Sequence, residues 1–520
     1  MDTAARAPRM ESLFKIAIWA TLYLLPITRA LTPQIDPDTW WHLRTGETIV
    51  QQRQIPSTDT FSRHGIETGK PWLAYSWLFE VVLYGFYQVM GLPGIAVLRL
   101  TLVLAVALAI HRLIARRETR FPVAAALFGA ALVAIGPLMS ERPWLVTILF
   151  STLLLDAVLD LRERGTTRWS WLLPLLFILW ANVHIQFVYG LLILGMACVA
   201  PLADRLSRRW LPGTEASECL PQTATAACAG ATAWWRLILL TAMCALATLL
   251  NPYGIKLYSV VLEYATHQAP LDIVTELRPL DFRSVRDFAM PVLAAVALFA
   301  LGRRKQWSFF ELLLLAVAGW FSFRMRRDVW FLTLVALTIL VTRPRLSVTG
   351  EPHRQELPFR PTYRQALLLA AALLALIAAT WQVHLHPGAI ETSLSEDYPV
   401  EAVRFVKTTG YRGPIYNTFD WGGYLIWNLR DLPVSLDGRT NLHGDARLAQ
   451  AYVTWTGQSG WDRDPELLQA AIVIEDVSAP AAATIRADER FRVVYEDRRA
   501  IVLERKSPVT MRTAQARQAE

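Results

Sequence analysis

The stretch IDPDTWWHLRTGE, residues 35–47, gathers Asp36, Asp38, Trp40, Trp41 and His42 within seven positions. Pro37 disfavours helix at Asp36. A helix starting near Asp38 is expected to be capped by that residue, with Asp38 and His42 one turn apart on the same side. A carboxylate and an imidazole on one face can share a proton or hold a divalent metal. Trp40 and Trp41 suit a lipid headgroup layer or stacking on a sugar ring. The plainer alternative for the stretch is a helix cap followed by an interfacial aromatic belt.

FRMRRD, residues 323–328, supplies a second set. The guanidinium forks of Arg324, Arg326 and Arg327 match phosphate oxygens, which suits a phosphate or pyrophosphate ligand. Snorkelling of these side chains to headgroups is the alternative. SERPW puts Glu141 and Arg142 in a tight turn, as partners of each other or as lining of a site. ANVHIQF puts Asn182, His184 and Gln186 at the end of an apolar helix, where a lone His is more often a packing residue than a ligand. Glu80 lies inside the apolar run Trp77–Met90. LNPYG, residues 250–254, reads mainly as a helix stop, which argues against a catalytic Asn251.

These residues need elements to hold them, and composition indicates which. Of the 520 residues 53% are hydrophobic and 18% are charged, against about 25% charged in soluble domains. Several windows of roughly 17–21 residues are nearly free of charge, long enough to cross a hydrocarbon core as helix. The expected class is a polytopic α-helical membrane protein. The first apolar run has no small-residue cleavage pattern, so it reads as a span rather than a signal peptide.

The net charge of +8 does not point to nucleic acid, because the basic residues sit in short clusters between apolar runs. These include Arg112, Arg116, Arg117 and Arg120; Arg162, Arg164 and Arg168; Arg303, Arg304 and Lys305; and Arg343, Arg345, Arg354, Arg360 and Arg364. Such clusters mark cytoplasmic loops. They are consistent with about eleven spans if Trp77–Met90, short for a span, is an interfacial helix. The spans are expected near 14–31, 95–114, 121–139, 145–161, 169–183, 188–203, 234–250, 288–302, 307–322, 329–342 and 366–385. The N-terminus is then cytoplasmic, and everything after His386 lies outside with the loop 32–76. The Arg cluster at 324–327 falls on the outer side against the positive-inside rule. The loop 203–233 reads as a flexible inner connector. Cys198 and Cys244 lie in apolar runs and Cys219 and Cys228 in this loop, so no structural disulfide is expected.

Residues 386–507 change in character. Strand candidates at 414–417, 433–436, 471–474, 492–495 and 500–503 alternate with helices near 399–408 and 446–455, as in a small extracytoplasmic α/β domain. Asp437-Gly438 reads first as a turn, with a carbohydrate platform built from nearby Trp, Tyr and amide groups as the alternative. The tail 508–520 reads as disordered.

The order of DPDTWWHL, WANVHIQF, LNPYG, RMRRD and WGGYLIW…SLDGR, with the interfacial helix ahead of LPGIAVLRLTLVLAVAL, resembles GT-C class membrane glycosyltransferases. Within that class it is most similar to bacterial mannosyl- and arabinosyltransferase-like proteins. The resemblance implies a polyprenyl-phosphate sugar donor and a glycan, lipid or protein acceptor at the outer face of a bacterial inner membrane. It implies that Asp36 or Asp38 acts as general base or metal ligand, in the latter case with His42 on a divalent cation such as Mg or Mn. Arg324, Arg326 and Arg327 would then hold the donor phosphate, and Trp40, Trp41, Glu80, Glu141, Arg142, Asn182 and His184 would line the substrate. The family's Asp-Glu pair is Asp-Pro-Asp here, which leaves metal dependence and the choice of acid open. A flippase for lipid-linked sugar would need the cavity and the Arg set but no base. A non-catalytic envelope assembly protein would use the outer domain for docking.

Overall fold

The computed structural model describes residues 3–164, 169–210, 224–304, 308–342 and 362–506. The tail 508–520, Cys219, part of the connector 203–233, and Arg168, Lys305, Arg343, Arg345, Arg354 and Arg360 lie outside them. The chain forms two compact units. The first comprises Met1–Thr32, Phe86–Tyr258 and Val274–His386, and the second Pro33–Gly85, Ser259–Ile273 and Pro387–Glu520. The loop 32–76, expected to go with the membrane helices, thus falls almost wholly in the unit that contains the C-terminal residues.

The first unit is helical. Among the described residues seven helices are long and apolar enough to cross a membrane: Glu11–Ala30, Leu92–Ala115, Phe121–Leu138, Trp144–Glu163, Phe187–Leu206, Val285–Gly302 and Tyr363–His384. The protein is a polytopic helical membrane protein. The remaining expected spans fall on shorter helices, Ser170–Val183, Trp234–Ala247, Phe309–Arg324 and Val329–Val341. Local chemistry starts these helices where they start. Ser308 accepts from the Phe310 N–H, and Thr362 and Gln365 form a reciprocal capping box. Val329–Val341 is 13 residues long, about 20 Å, and is buried around nearly its whole circumference, so it forms the centre of this unit rather than an exposed span. It packs on Ala289–Gly302 and Phe309–Arg324.

The second unit is built on a four-stranded sheet, β1 (Ile415–Asn417), β2 (Ile472–Asp476), β3 (Phe491–Glu496) and β4 (Ala500–Arg505), in the order β1-β2-β4-β3. β1 and β2 are parallel, and the other pairs are antiparallel. The central strands β2 and β4 are covered on both faces and read as continuous apolar runs, whereas β3 is an edge. Tyr416, Leu467, Val473, Ile485, Phe491, Ile501 and Leu503 form the core. The expected strand at 433–436 makes only bridges. Val434 pairs with Ile415 on one side and with Ser62 on the other, accepting from Arg63 N and donating to Phe61 O. Those bonds tie residues 61–63 to the C-terminal residues within one unit.

Candidate active site

The acidic turn lies in the second unit. Asp36 Oδ1 accepts the Asp38 N–H at 3.0 Å, and the Asp36 carbonyl accepts from Thr39 N. The helix Thr39–Gln52 begins immediately after. Asp38 holds the cap position but its side chain makes no capping bond, so the expected cap is replaced by a side-chain turn made by Asp36. Both acids stay partly accessible, while Ile35 before them and Thr39 to Leu43 after them are buried.

Burial corrects the reading of the tryptophans. Trp40 is 3% exposed and meets Tyr398 and Tyr424 edge-on, and Trp41 is 5% exposed and packs on His42 and Trp72. They are core residues of this unit and present no ring to a headgroup layer. His42 Nδ1 bonds Glu80 Oε1 at 3.0 Å, with both side chains buried. The other Glu80 oxygen has no hydrogen-bond partner among the described residues. A helix packed so closely on its neighbour turns Glu80, expected as lining, into the orienting partner of His42. The described residues contain no group of three or more His, Cys, Asp or Glu able to hold a metal. Asp38 and His42 are thus joined by no third such residue among the described residues.

Beneath the acidic turn sits a buried ion triad. Arg439 makes a two-point contact with Asp437, Nε to Oδ1 at 2.8 Å and Nη2 to Oδ2 at 2.7 Å, and reaches Asp59 Oδ1 through Nη1 at 2.8 Å. Its guanidinium lies over the Trp72 and Phe61 rings at 4.7 and 5.0 Å. Burial alone would raise the Asp437 carboxyl, but the charges of Arg439 and His443 and the bonds they make overcome it and hold the group far below the usual carboxylate range. Asp59 is lowered in the same way: its burial is outweighed by Arg439 and by bonds from Ser62 and the Phe61 N–H. Asp437 is thus a structural anchor, as the turn reading of Asp437-Gly438 implied.

The other expected site residues lie in the first unit. Arg324 ends its helix exposed. Arg326 donates its backbone N–H to Arg278 O, and its guanidinium stands 3.2 Å from Asp281. Arg327 and Arg142 both act electrostatically on His184, which brings these three expected residues into one neighbourhood. His184 Nδ1 bonds Thr147 Oγ1, and Asn182 donates to the Ile178 and Leu250 carbonyls, both packing roles. Glu141 pairs with Arg99 at 2.8 Å, and Arg142 stands 3.8 Å from Glu276 and over the Trp144 ring. Asn251 closes its own turn, as a helix stop should.

Two residues were missed. Arg99 stands alone in the apolar run 92–108, and that isolation was the signal. It bonds Glu141 and the Ala30 and Thr32 carbonyls, fastening three segments of the first unit. Asp328 closes the RMRRD motif, buried, accepting from Tyr189 Oη at 2.6 Å and from Gln186 Nε2 at 3.4 Å. An acid beside three arginines in the sequence had marked it.

No family model and no curated protein matches the sequence. Solved structures do. The chain is similar to ArnT from Cupriavidus metallidurans bound to undecaprenyl phosphate, with TM-score 0.47 and 14% identity over 94% of this chain and 97% of that one. It is also similar to the Archaeoglobus fulgidus oligosaccharyltransferase in complex with Zn and sulfate, with TM-score 0.46 and 12% identity over 88% and 68% of the two chains.

Proposed function

We propose that the protein is a glycosyltransferase that moves a sugar from a polyprenyl-phosphate donor to an acceptor hydroxyl at the outer membrane surface. The observation that carries this reading is the acidic turn. Directly after the first span, two carboxylates keep access while every neighbour from Thr39 to Leu43 is buried. Asp36 uses one oxygen to close the turn, and the Asp38 carboxylate stands against the backbone at Gly438; we assign the base to Asp38.

In this reading Asp38 takes the proton from the acceptor hydroxyl as that oxygen attacks the anomeric carbon. The bond to the phosphate oxygen breaks, and the polyprenyl phosphate leaves from the opposite face, inverting the centre. We assign donor-phosphate binding to Arg324, Arg326 and Arg327 of the first unit, whose guanidinium forks suit phosphate oxygens. His42 and Glu80 lie behind the turn as a fixed polar pair. The sequence motifs that resemble GT-C enzymes support the same reaction class. The test is turnover of radiolabelled undecaprenyl-phosphate monosaccharides by purified protein with a cell-envelope extract as acceptor source. Label should leave the lipid with wild type and not with Asp38→Asn. Equal turnover by the two proteins would refute the base, and no transfer from any donor would refute the reaction.

A further inference from the structure

We infer that the bend Asp437–Gly438–Arg439 is the seat that positions the Asp38 carboxylate, so the C-terminal residues belong to the reaction machinery as a positioning element. The inference rests on the base role proposed for Asp38.

Close approach carries it. A Cβ added to Gly438 would stand 1.8 Å from Asp38 Oδ1 and 2.5 Å from its Cγ. Any side chain there would occupy the space the carboxylate now fills. On its other flank the turn meets Gly423, where a Cβ would stand 2.6 Å from the Pro37 carbonyl oxygen and 3.4 Å from Trp41 Cδ1. Two glycines of the WGGYLIW and SLDGR blocks thus let backbone close on the acidic turn from two directions.

The seat is stiff. Asp437 Oδ1 accepts the Arg439 N–H across the bend at 2.9 Å, and the Arg439 side chain locks the same carboxylate and Asp59 behind it. Tyr398 donates to the Ile35 carbonyl at 2.5 Å, fixing the chain just before the turn. A base must stand within hydrogen-bond reach of the proton it takes, and a misplacement of about 1 Å lowers a rate roughly 100-fold.

The experiment uses the purified full-length protein and the same labelled donors. Gly438→Ala should lower kcat about 100-fold while donor KM stays within about threefold. Gly444→Ala is the control: it lies in the same segment at φ +75° with nothing near its Cβ, so it strains backbone without touching Asp38 and should leave kcat near wild type. In the Asp38→Asn background, adding Gly438→Ala should change the residual rate no further. Gly423→Ala, which pushes Pro37, should reproduce the pattern if Gly438→Ala does not fold.

Wild-type kcat in Gly438→Ala beside an inactive Asp38→Asn overturns the seat and spares the base. An additive loss in the double variant, or failure of both glycine variants to fold, shows a purely structural role and also overturns it. Full activity in Asp38→Asn, or no transfer by wild type, removes the base and the seat together.

Discussion

Arg439→Met removes the guanidinium that stands between Asp437 and Asp59, keeping most of the side chain's bulk. The structure sets the size of the effect. Both carboxylates are fully buried and both bond this arginine, and breaking a buried pair by removing one partner costs about 3–5 kcal/mol. In a unit of this size each kcal/mol lowers Tm by roughly 2–4 °C, so a fall near 10 °C is expected. The loss depends on pH. With Arg439 present the two carboxyls sit below their unfolded values of about 3.9. Their stabilisation is complete above that pH and is lost as pH falls through the lowered values. Without Arg439, burial is opposed only by His443 at Asp437 and by the Ser62 and Phe61 bonds at Asp59, so the penalty on the charged forms grows and the variant loses stability relative to wild type as pH rises above about 4. Thermal unfolding of detergent-solubilised protein at pH 8 and pH 4.5 should therefore show a larger gap between variant and wild type at pH 8. Equal gaps, or a shift of only a degree or two, would refute the assignment of the triad as a buried charge cluster.

Asp36→Asn and Asp38→Asn should separate: Asp38→Asn should lower turnover about 100- to 10,000-fold, whereas Asp36→Asn, which keeps an oxygen for the Asp38 N–H, should lower it far less. The reverse order would move the base to Asp36. Arg326→Ala should weaken binding of undecaprenyl phosphate about tenfold, by loss of one charge-assisted contact, and unchanged affinity in a lipid-binding titration would count against the phosphate role. Glu475 is pushed up to about 8 by burial, with one oxygen bonded by Thr418 and the other without a partner among the described residues. Since its folded value lies above the unfolded one, the unit should lose stability as pH rises from about 4.5 through 8, by up to about 5 kcal/mol. Glu475→Gln should flatten that slope, and an unchanged slope would argue against it. Arg99→Met should destabilise the first unit by about 3–5 kcal/mol through loss of its buried pair with Glu141, and a Tm within a degree of wild type would contradict that.

Local pattern carried much of the fold. The helix Trp77–Met90 has the bounds its apolar run suggested, and β1 to β4 lie on four of the five expected strands, because alternation and turn residues are properties of neighbouring positions. The fifth, at 433–436, reads as a strand yet makes only bridges, because one of its partners is Ser62 in a distant loop. Partners were what local pattern did not carry. Pro37 and the spacing of Asp38 and His42 defined a helix start, but His42 turns to Glu80, 38 positions on. Trp40 and Trp41 have the composition of an interfacial belt, and their burial depends on Tyr398, Tyr424 and Trp72. Asp437-Gly438 was legible as a turn. That its glycine faces Asp38 is a tertiary fact with no local signature.

The second unit is assembled from three stretches of chain taken from near the start, the middle and the end, and Arg439 and Asp59 are 380 positions apart. Protein synthesis runs in one direction, so the acidic turn emerges early and waits, unseated, for nearly the whole of the chain. An unfinished polypeptide has Asp38 without the bend that orders it, and the Asp59 carboxylate without its cation. Completion of the chain and assembly of the second unit become one event, so a chain that stops before residue 437 lacks both the backbone that closes on Asp38 and the cation that pairs with Asp59.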